Sequence, residues 1–298
     1  MCGIVGLLIK DPEQRSKLGP WLTPMLVEMG ARGPESAGLA VFDAAASGGE
    51  RQYSLHAPAW EYDWSAFARA CEARTGGTVT LRSLGNHAVI RADLAPAELK
   101  QWLRAEYPAL HLLSAGAAID VYKDIGHPSR VADRYRFREL AGSHAVGHTR
   151  MATESAVTPD RAHPFTAGED FCLVHNGTIS NPFMVRRKLE HAGIEFQTDN
   201  DSEAACRFIE WRLREGDDLE GALARSLEEL DGFYTFLIGT GDRLALLRDA
   251  FACKPAIAAE TDTYVAVSSE FRALAHLPGI EKAKLFEPMP GEIYTWSV

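Results

Sequence analysis

Apolar residues run unbroken from Cys2 to Ile9 before Lys10 interrupts them, a short apolar run of strand length. Over 13–30 the spacing changes. Leu18, Leu22, Met25, Leu26 and Met29 recur at helical intervals, and the segment reads as a helix whose start is blurred by Pro20 and Pro24. Arg32-Gly33-Pro34 turns the chain into an apolar strand over 37–42, and residues 44–49 form a loop. Residues 60–74 and 96–105 read as helices and 78–82, 86–92 and 117–123 as strands, ahead of an Arg-rich stretch around 127–138. Strands are predicted over 144–149 and 171–175, flanking a loop with Pro159 and Pro164. Three helices follow. One opens at Asn181-Pro182, one begins after Asp201-Ser202, and one carries Leu219, Ala222, Leu223, Leu227 and Leu230 on a single face. Strands return at 233–239, 243–249, 255–259, 263–268 and 292–296, and the short link Gly239-Thr240-Gly241-Asp242 favours antiparallel pairing. Strands, then helices, then strands predict an α+β fold of sheet and helix layers, not alternating βαβ units.

Composition narrows the possibilities. With 298 residues, 46% hydrophobic and 24% charged, the chain can bury a core without a disulfide or metal staple. Its 31 Lys and Arg against 41 Asp and Glu leave a net charge of −10, which argues against nonspecific binding to nucleic acid or an anionic membrane. No apolar run reaches the ~18 residues of a membrane span, and the N-terminus, apolar before basic, reverses a secretory signal. Cys2, Cys71, Cys172, Cys206 and Cys253 are scattered with no C-x-x-C pair, as in a reducing compartment and unlike a zinc site. A cytoplasmic protein with no metal site is expected.

The chemistry gathers around Cys2. Removal of Met1 would place a thiol and the chain's α-amine on one residue, and an amine titrating near ~7.7–8.0 can act as a base at neutral pH. Further along come Arg32-Gly33-Pro34-Glu35-Ser36-Ala37-Gly38, Gly147-His148-Thr149-Arg150-Met151-Ala152-Thr153, His163-Pro164, His175-Asn176-Gly177 and Asp199-Asn200-Asp201-Ser202-Glu203. Taken singly, each has a plainer explanation. Arg150 and Asp201 suit surface ion pairs, Asn176-Gly177 suits a β-turn, and Arg32 suits a charge at the end of the preceding helix.

Taken together, in this order and headed by Cys2, the motifs resemble those of the class II glutamine amidotransferases, which are N-terminal-nucleophile hydrolases. The resemblance implies a four-layer αββα sandwich over 1–298, with Cys2 as nucleophile and Asn176 and Gly177 as oxyanion donors. Arg150 would grip the glutamine carboxylate with a bidentate fork, and Asp201 would pair with its ammonium. Met151, Thr153 and His175 would contact substrate, Arg32 would frame the nucleophile, and His163-Pro164 would be structural. There are departures from the pattern. Met151 stands where an aromatic residue is common, Glu154 near where His is common, and Glu35 where Asp is usual. The wall of the pocket is therefore altered, while nucleophile, clamp and oxyanion donors are all present.

The stretch from Arg32 to Arg150 is longer than in simpler members, so an α+β insertion is expected at about 50–140. His56, His87, His111 and His127 lie in it without metal-ligand spacing, and Cys172 reads as a small buried hydrophobe. The region leading from Ile119 to Ser155 resembles the stand-alone glutaminase-like subunits of N-methylglutamate synthase and of related glutamate-synthase-like complexes. No Walker loop, G-x-G-x-x-G or cysteine run for a cluster is present. The resemblance thus implies a hetero-oligomer that handles glutamine or glutamate, with no cofactor in this chain and FMN and an iron–sulfur cluster on a partner. A free-standing γ-glutamyl amide hydrolase and a catalytically idle binding subunit are the alternatives.

Overall fold

The computed structural model describes residues 2–43, 50–151 and 158–298. Three antiparallel sheets organise it. The first holds seven strands in the order β15 (Lys284–Phe286), β13 (Ile257–Glu260), β14 (Tyr264–Ser268), β1 (Gly3–Ile9), β8 (His144–Arg150), β2 (Ser36–Phe42) and β7 (Ile119–Ile125). The second runs β16 (Ile293–Ser297), β12 (Arg243–Arg248), β11 (Gly232–Thr240), β10 (Phe171–Ile179), β9 (Phe165–Thr166). The third is β4 (Thr80–Leu84), β5 (His87–Ala92), β3 (Arg51–His56), β6 (His111–Gly116).

The period-two alternation of strands builds the layers. On β1, Ile4 and Leu8 join Val174, Leu237 and Leu246 of the second sheet in one core. Val5, Leu7 and Ile9 point the other way, into a core shared with α1 (Leu18–Glu28) and α4 (Pro128–Arg134). The unbroken apolar run of β1 follows from burial on both sides. Beyond the second sheet, α5 (Pro182–His191), α6 (Asp201–Arg214) and α7 (Leu219–Glu229) cover its far face with Leu189, Phe208, Ile209 and Leu223. The result is helix, sheet, sheet, helix: the α+β N-terminal-nucleophile hydrolase architecture. No helix among the described residues is long and apolar enough to cross a membrane.

Several boundaries differ from the sequence expectation. The helix expected over 13–30 is split, with a 3-10 turn over Pro12–Lys17 before α1 and another over Met29–Ala31 after it. Pro20 falls in the first turn of α1, where a missing N–H costs nothing. The helix expected from residue 60 is α2 (Trp64–Thr75), started by Asp63, whose carboxylate accepts the Ala66 N–H at 2.9 Å. The Arg-rich stretch contains α4. The separate third sheet, covered by α2 and α3 (Pro96–Glu106), occupies only 51–116 of the expected 50–140. The remainder belongs to the main body because β7 pairs with β2 along its whole length. The loop expected at 44–49 lies outside the described residues.

Candidate active site where two sheets meet

Strand register brings the distant motifs to one edge. Gly3 pairs with Thr149 and Ser36 pairs with Arg150. Cys2, the end of β8 and the Arg32–Ser36 turn therefore lie side by side on the first sheet. From the second sheet β10 contributes His175, Asn176 and Gly177, and the His148 Nε2 to His175 carbonyl contact at 3.0 Å ties the two sheets together here. Gly33 makes the close approach possible, since a Cβ there would lie 2.4 Å from the Arg150 nitrogen.

Arg32 holds the start of the chain. Its Nε donates to the Cys2 carbonyl at 2.8 Å, and its Nη1 reaches Glu270 Oε1 at 2.7 Å. The guanidinium is nearly buried, and its hydrogen bond holds the Glu270 carboxyl below the usual carboxylate range. Next to it, Ser269 Oγ accepts the Ile4 N–H at 3.0 Å. The first residues are thus pinned from both sides.

Burial pushes the Cys2 thiol up, while the Met151 N–H and the charges of Arg150 and Lys254 pull the other way. Burial prevails, so the thiol is protonated at neutral pH and its attack requires a base. Arg150, the last residue of β8, is buried, accepts the Glu35 N–H at 3.0 Å through its carbonyl and reaches the Arg161 carbonyl through Nη1 at 3.5 Å. Met151 is exposed beside it, and Thr153 lies outside the described residues.

On β10 the alternation separates neighbours. Asn176 shares the inter-sheet side with Cys172 and Val174. It is 3% exposed, and its amide nitrogen has no acceptor among the described residues. A buried donor in that state is costly unless something fills it. Gly177 follows with φ +151°, and a Cβ there would sit 2.0 Å from the Phe233 carbonyl oxygen, so only glycine fits. His175 faces the helical layer, with Nδ1 at 2.9 Å from Ser202 Oγ. Burial pushes its imidazole down, leaving it neutral. The ring is engaged with α6 through this contact, and its Nε2 has no partner among the described residues. Asp201, the first residue of α6, accepts the Ile179 N–H at 2.9 Å and the Ser202 hydroxyl at 3.3 Å. It fixes the end of β10 and keeps lone pairs for a cation. His163, expected to be structural, stacks on His148 with centroids 3.9 Å apart.

Sequence reasoning missed Lys254 and Glu270. Glu270 meets Arg32 across 238 positions, and no local pattern announces it. Lys254 stands in the loop after β12, its carbonyl accepting from Thr235 Oγ1 at 3.1 Å and from Arg248 Nη2 at 3.0 Å. Thr235 is the cross-strand partner of Asn176, and the field of Lys254 reaches both Cys2 and His175. The Arg248-Asp249 pair before a Lys-Pro step was the available signal.

Comparison with known proteins agrees with this geometry. Residues 148–276 match a glutamine amidotransferase domain family. The chain is 44% identical over 298 residues to the glutamine amidotransferase-like protein GlxB of Rhizobium meliloti, covering 99% of this chain and 98% of that one. It is 30% identical over 309 residues to a putative glutamine amidotransferase of Methanothermobacter thermautotrophicus, with both covered in full. Among solved structures it resembles the allosteric regulatory enzyme of purine biosynthesis, with a TM-score of 0.64 at 20% identity. That match covers 99% of this chain and 46% of the larger enzyme.

Proposed function

Given that the chain belongs to the class II glutamine amidotransferase family, we propose that it is the glutaminase subunit of a glutamate-synthase-like assembly, of the N-methylglutamate synthase type. One observation carries the reading: the buried Asn176 amide, without an acceptor among the described residues, lies on the inter-sheet side of the edge where Cys2 begins the first sheet. A buried donor without an acceptor there supports a role in holding an oxyanion.

The steps follow from the residues. With Met1 removed, the α-amine of Cys2 takes the thiol proton, through a water, and the sulfur attacks the side-chain amide carbon of glutamine. Asn176 Nδ2 and the Gly177 N–H receive the developing negative charge. Arg150 holds the substrate carboxylate and Asp201 its ammonium, so the amide carbon is presented to sulfur and not to bulk water. Collapse breaks the carbon–nitrogen bond, and the proton held on the α-amine leaves with ammonia. Water, deprotonated by the same amine, then cleaves the γ-glutamyl thioester to glutamate and restores the thiol. In an assembly of this type the same steps serve a γ-glutamyl amide that releases an amine.

The acceptor chemistry falls to partner subunits, which would carry the FMN and the iron–sulfur cluster. Exposed apolar side chains support a docking face beside the site. Phe233, opposite Thr178 on β11, packs edge-to-face on Phe251 at 5.4 Å, and both are exposed. Phe183 and Met184, at the start of α5, are also largely exposed. A cluster of this kind on an acidic protein is a recognised mark of a protein interface.

The test is the intact mass of the purified chain after exposure to 6-diazo-5-oxo-norleucine, with Cys2→Ala as control. Loss of Met1 and a single adduct absent from the control is the expected result. Retention of Met1 with no adduct, alone or with copurified subunits, would point to an idle binding subunit. Purification from the native host without any flavoprotein would remove the assembly from the reading.

A further inference from the structure

A cavity of about 730 Å³ opens between the third sheet and β7, away from the residues given roles in glutamine chemistry. His56, Trp60, Asn86, His111, Asp124 and Arg134 contribute to its lining. Its floor is a continuous chain of polar groups. Asp124 Oδ2 receives Arg134 Nη1 at 2.5 Å and the Tyr135 hydroxyl at 2.7 Å. The Asn86 amide then lies 2.9 Å from the Tyr135 oxygen and 2.9 Å from His56 Nε2. Asp124, Asn86 and His56 are all buried.

The Asp124 carboxylate only accepts, so the single Tyr135 proton points to it. The Asn86 carbonyl Oδ1 is the atom turned to the Tyr135 hydroxyl, and the Asn86 Nδ2 donates to His56 Nε2. The linked groups hold one another in place, which makes the floor rigid, while the buried His56 Nδ1 has no partner among the described residues. A pre-organised wall of this sort is costly to build for no ligand.

The rim is equally constrained. Trp60 is 46% exposed, yet its ring rests on the Gly85 backbone, where a Cβ would come within 2.4 Å of it. The Arg134 guanidinium carbon lies 5.7 Å from the same ring centroid. Asp124 uses Nη1 of Arg134, and the other N–H groups have no acceptor among the described residues. A fixed, exposed indole beside a guanidinium with spare donors selects a flat π-system carrying an anion, since the first offers stacking and the second a charge-assisted fork.

We propose that this cavity binds a small planar aromatic carboxylate, with its ring on Trp60 and its carboxylate on Arg134. Ser36 pairs with Arg150 on one side and with Ile125 on the other. The ligand would therefore sit two strand spacings, about 10 Å, along the sheet edge from the proposed glutamine clamp.

The test uses the full chain labelled with 5-fluorotryptophan, the Trp60 resonance being assigned by its loss in Trp60→Phe. Three probes are titrated: nicotinate, nicotinamide, which keeps the ring without the charge, and cyclohexanecarboxylate, which keeps the charge without the π-system. Nicotinate is expected to shift the Trp60 resonance saturably and to bind at least ~10-fold more tightly than either control. Arg134→Gln is expected to erase that preference while leaving the nicotinamide affinity unchanged. If that variant fails to fold, because Asp124 loses its counter-charge, Arg134→Gln combined with Asp124→Asn takes its place. Equal affinities for the three probes, shifts confined to other tryptophans, or a nicotinate preference that survives loss of Arg134 would each overturn the assignment. The readout is binding at Trp60, so it stands or falls separately from the glutaminase reading.

Discussion

Arg32 reaches back 30 positions to donate to the main-chain carbonyl of Cys2 at 2.8 Å, with Glu270 holding its other end. The reactive residue is therefore aimed through its backbone, and its side chain remains available. Arg32→Lys keeps the charge but cannot bridge both partners. It is expected to lower the kcat for glutamate release by roughly 10²-fold, the cost of a misplacement near 1 Å, with KM changed far less. Steady-state kinetics of glutaminase activity settles it, and a variant that loses KM and keeps kcat would show that Arg32 contacts substrate instead.

Removing the Asn176 donor should act on the transition state. Asn176→Ala is expected to reduce kcat by about 10²–10³-fold, with little change in the melting temperature, because the buried amide has no acceptor to lose among the described residues. A large drop in stability without a drop in kcat would assign Asn176 to the core.

Lys254 lowers the Cys2 thiol against the opposing effect of burial. With Lys254→Met, the acid limb of Cys2 alkylation by iodoacetamide should move to higher pH, and Lys254→Arg should restore it. Identical alkylation profiles in all three proteins would leave Lys254 with only its backbone role beside Thr235.

Acid should unfold the protein through its histidines. Burial pushes His56 and His144 down to about 4, and His87 and His148 down to about 3. In the unfolded chain these rings titrate near ~6.5. Between those values the unfolded state binds more protons, so stability is fully present above pH ~6.5 and lost as pH falls towards 4. The melting temperature is expected to decline steadily over that window, with proton uptake on unfolding measurable by calorimetry in buffers of different ionisation enthalpy. A flat profile would mean that the rings are solvated.

How far the sequence discloses this molecule depends on which residues face where. Strand β1 was legible because both of its faces are apolar. Strand β3 was not, because Gln52 and Ser54 are spent on polar bonds to the neighbouring β7: Gln52 Nε2 meets Asp120 Oδ1 at 2.6 Å, and Ser54 Oγ accepts the Val121 N–H at 3.0 Å. Gln52, Ser54 and His56 still alternate with Tyr53 and Leu55, but the signal is only five residues long, and the burial of its polar face against β7 is not written in it. Helix α4 hid among arginines, since Val131 and Ala132 are the buried apolar residues of its interior. In the site, Cys2, Arg150, Asn176 and Asp201 stood in recognisable local motifs. Glu270 and Lys254 did not, because their importance comes from register and loop placement that only the folded sheets define.

One consequence of strand order concerns timing. Strand β1 is enclosed by β8 and β14, and its pairing with Tyr264–Ser268 spans most of the chain. A ribosome adding roughly 5–20 residues per second needs about 10–50 s between exposing Cys2 and delivering its last sheet neighbour. During that interval the start of the chain is open to the aminopeptidase that would free its amine. After β14 docks and Glu270 locks Arg32, the main chain at Cys2 is held on both sides, with Cys2 half-buried. If Cys2 is the nucleophile, its maturation meets the least folded structure in the interval before β14 docks.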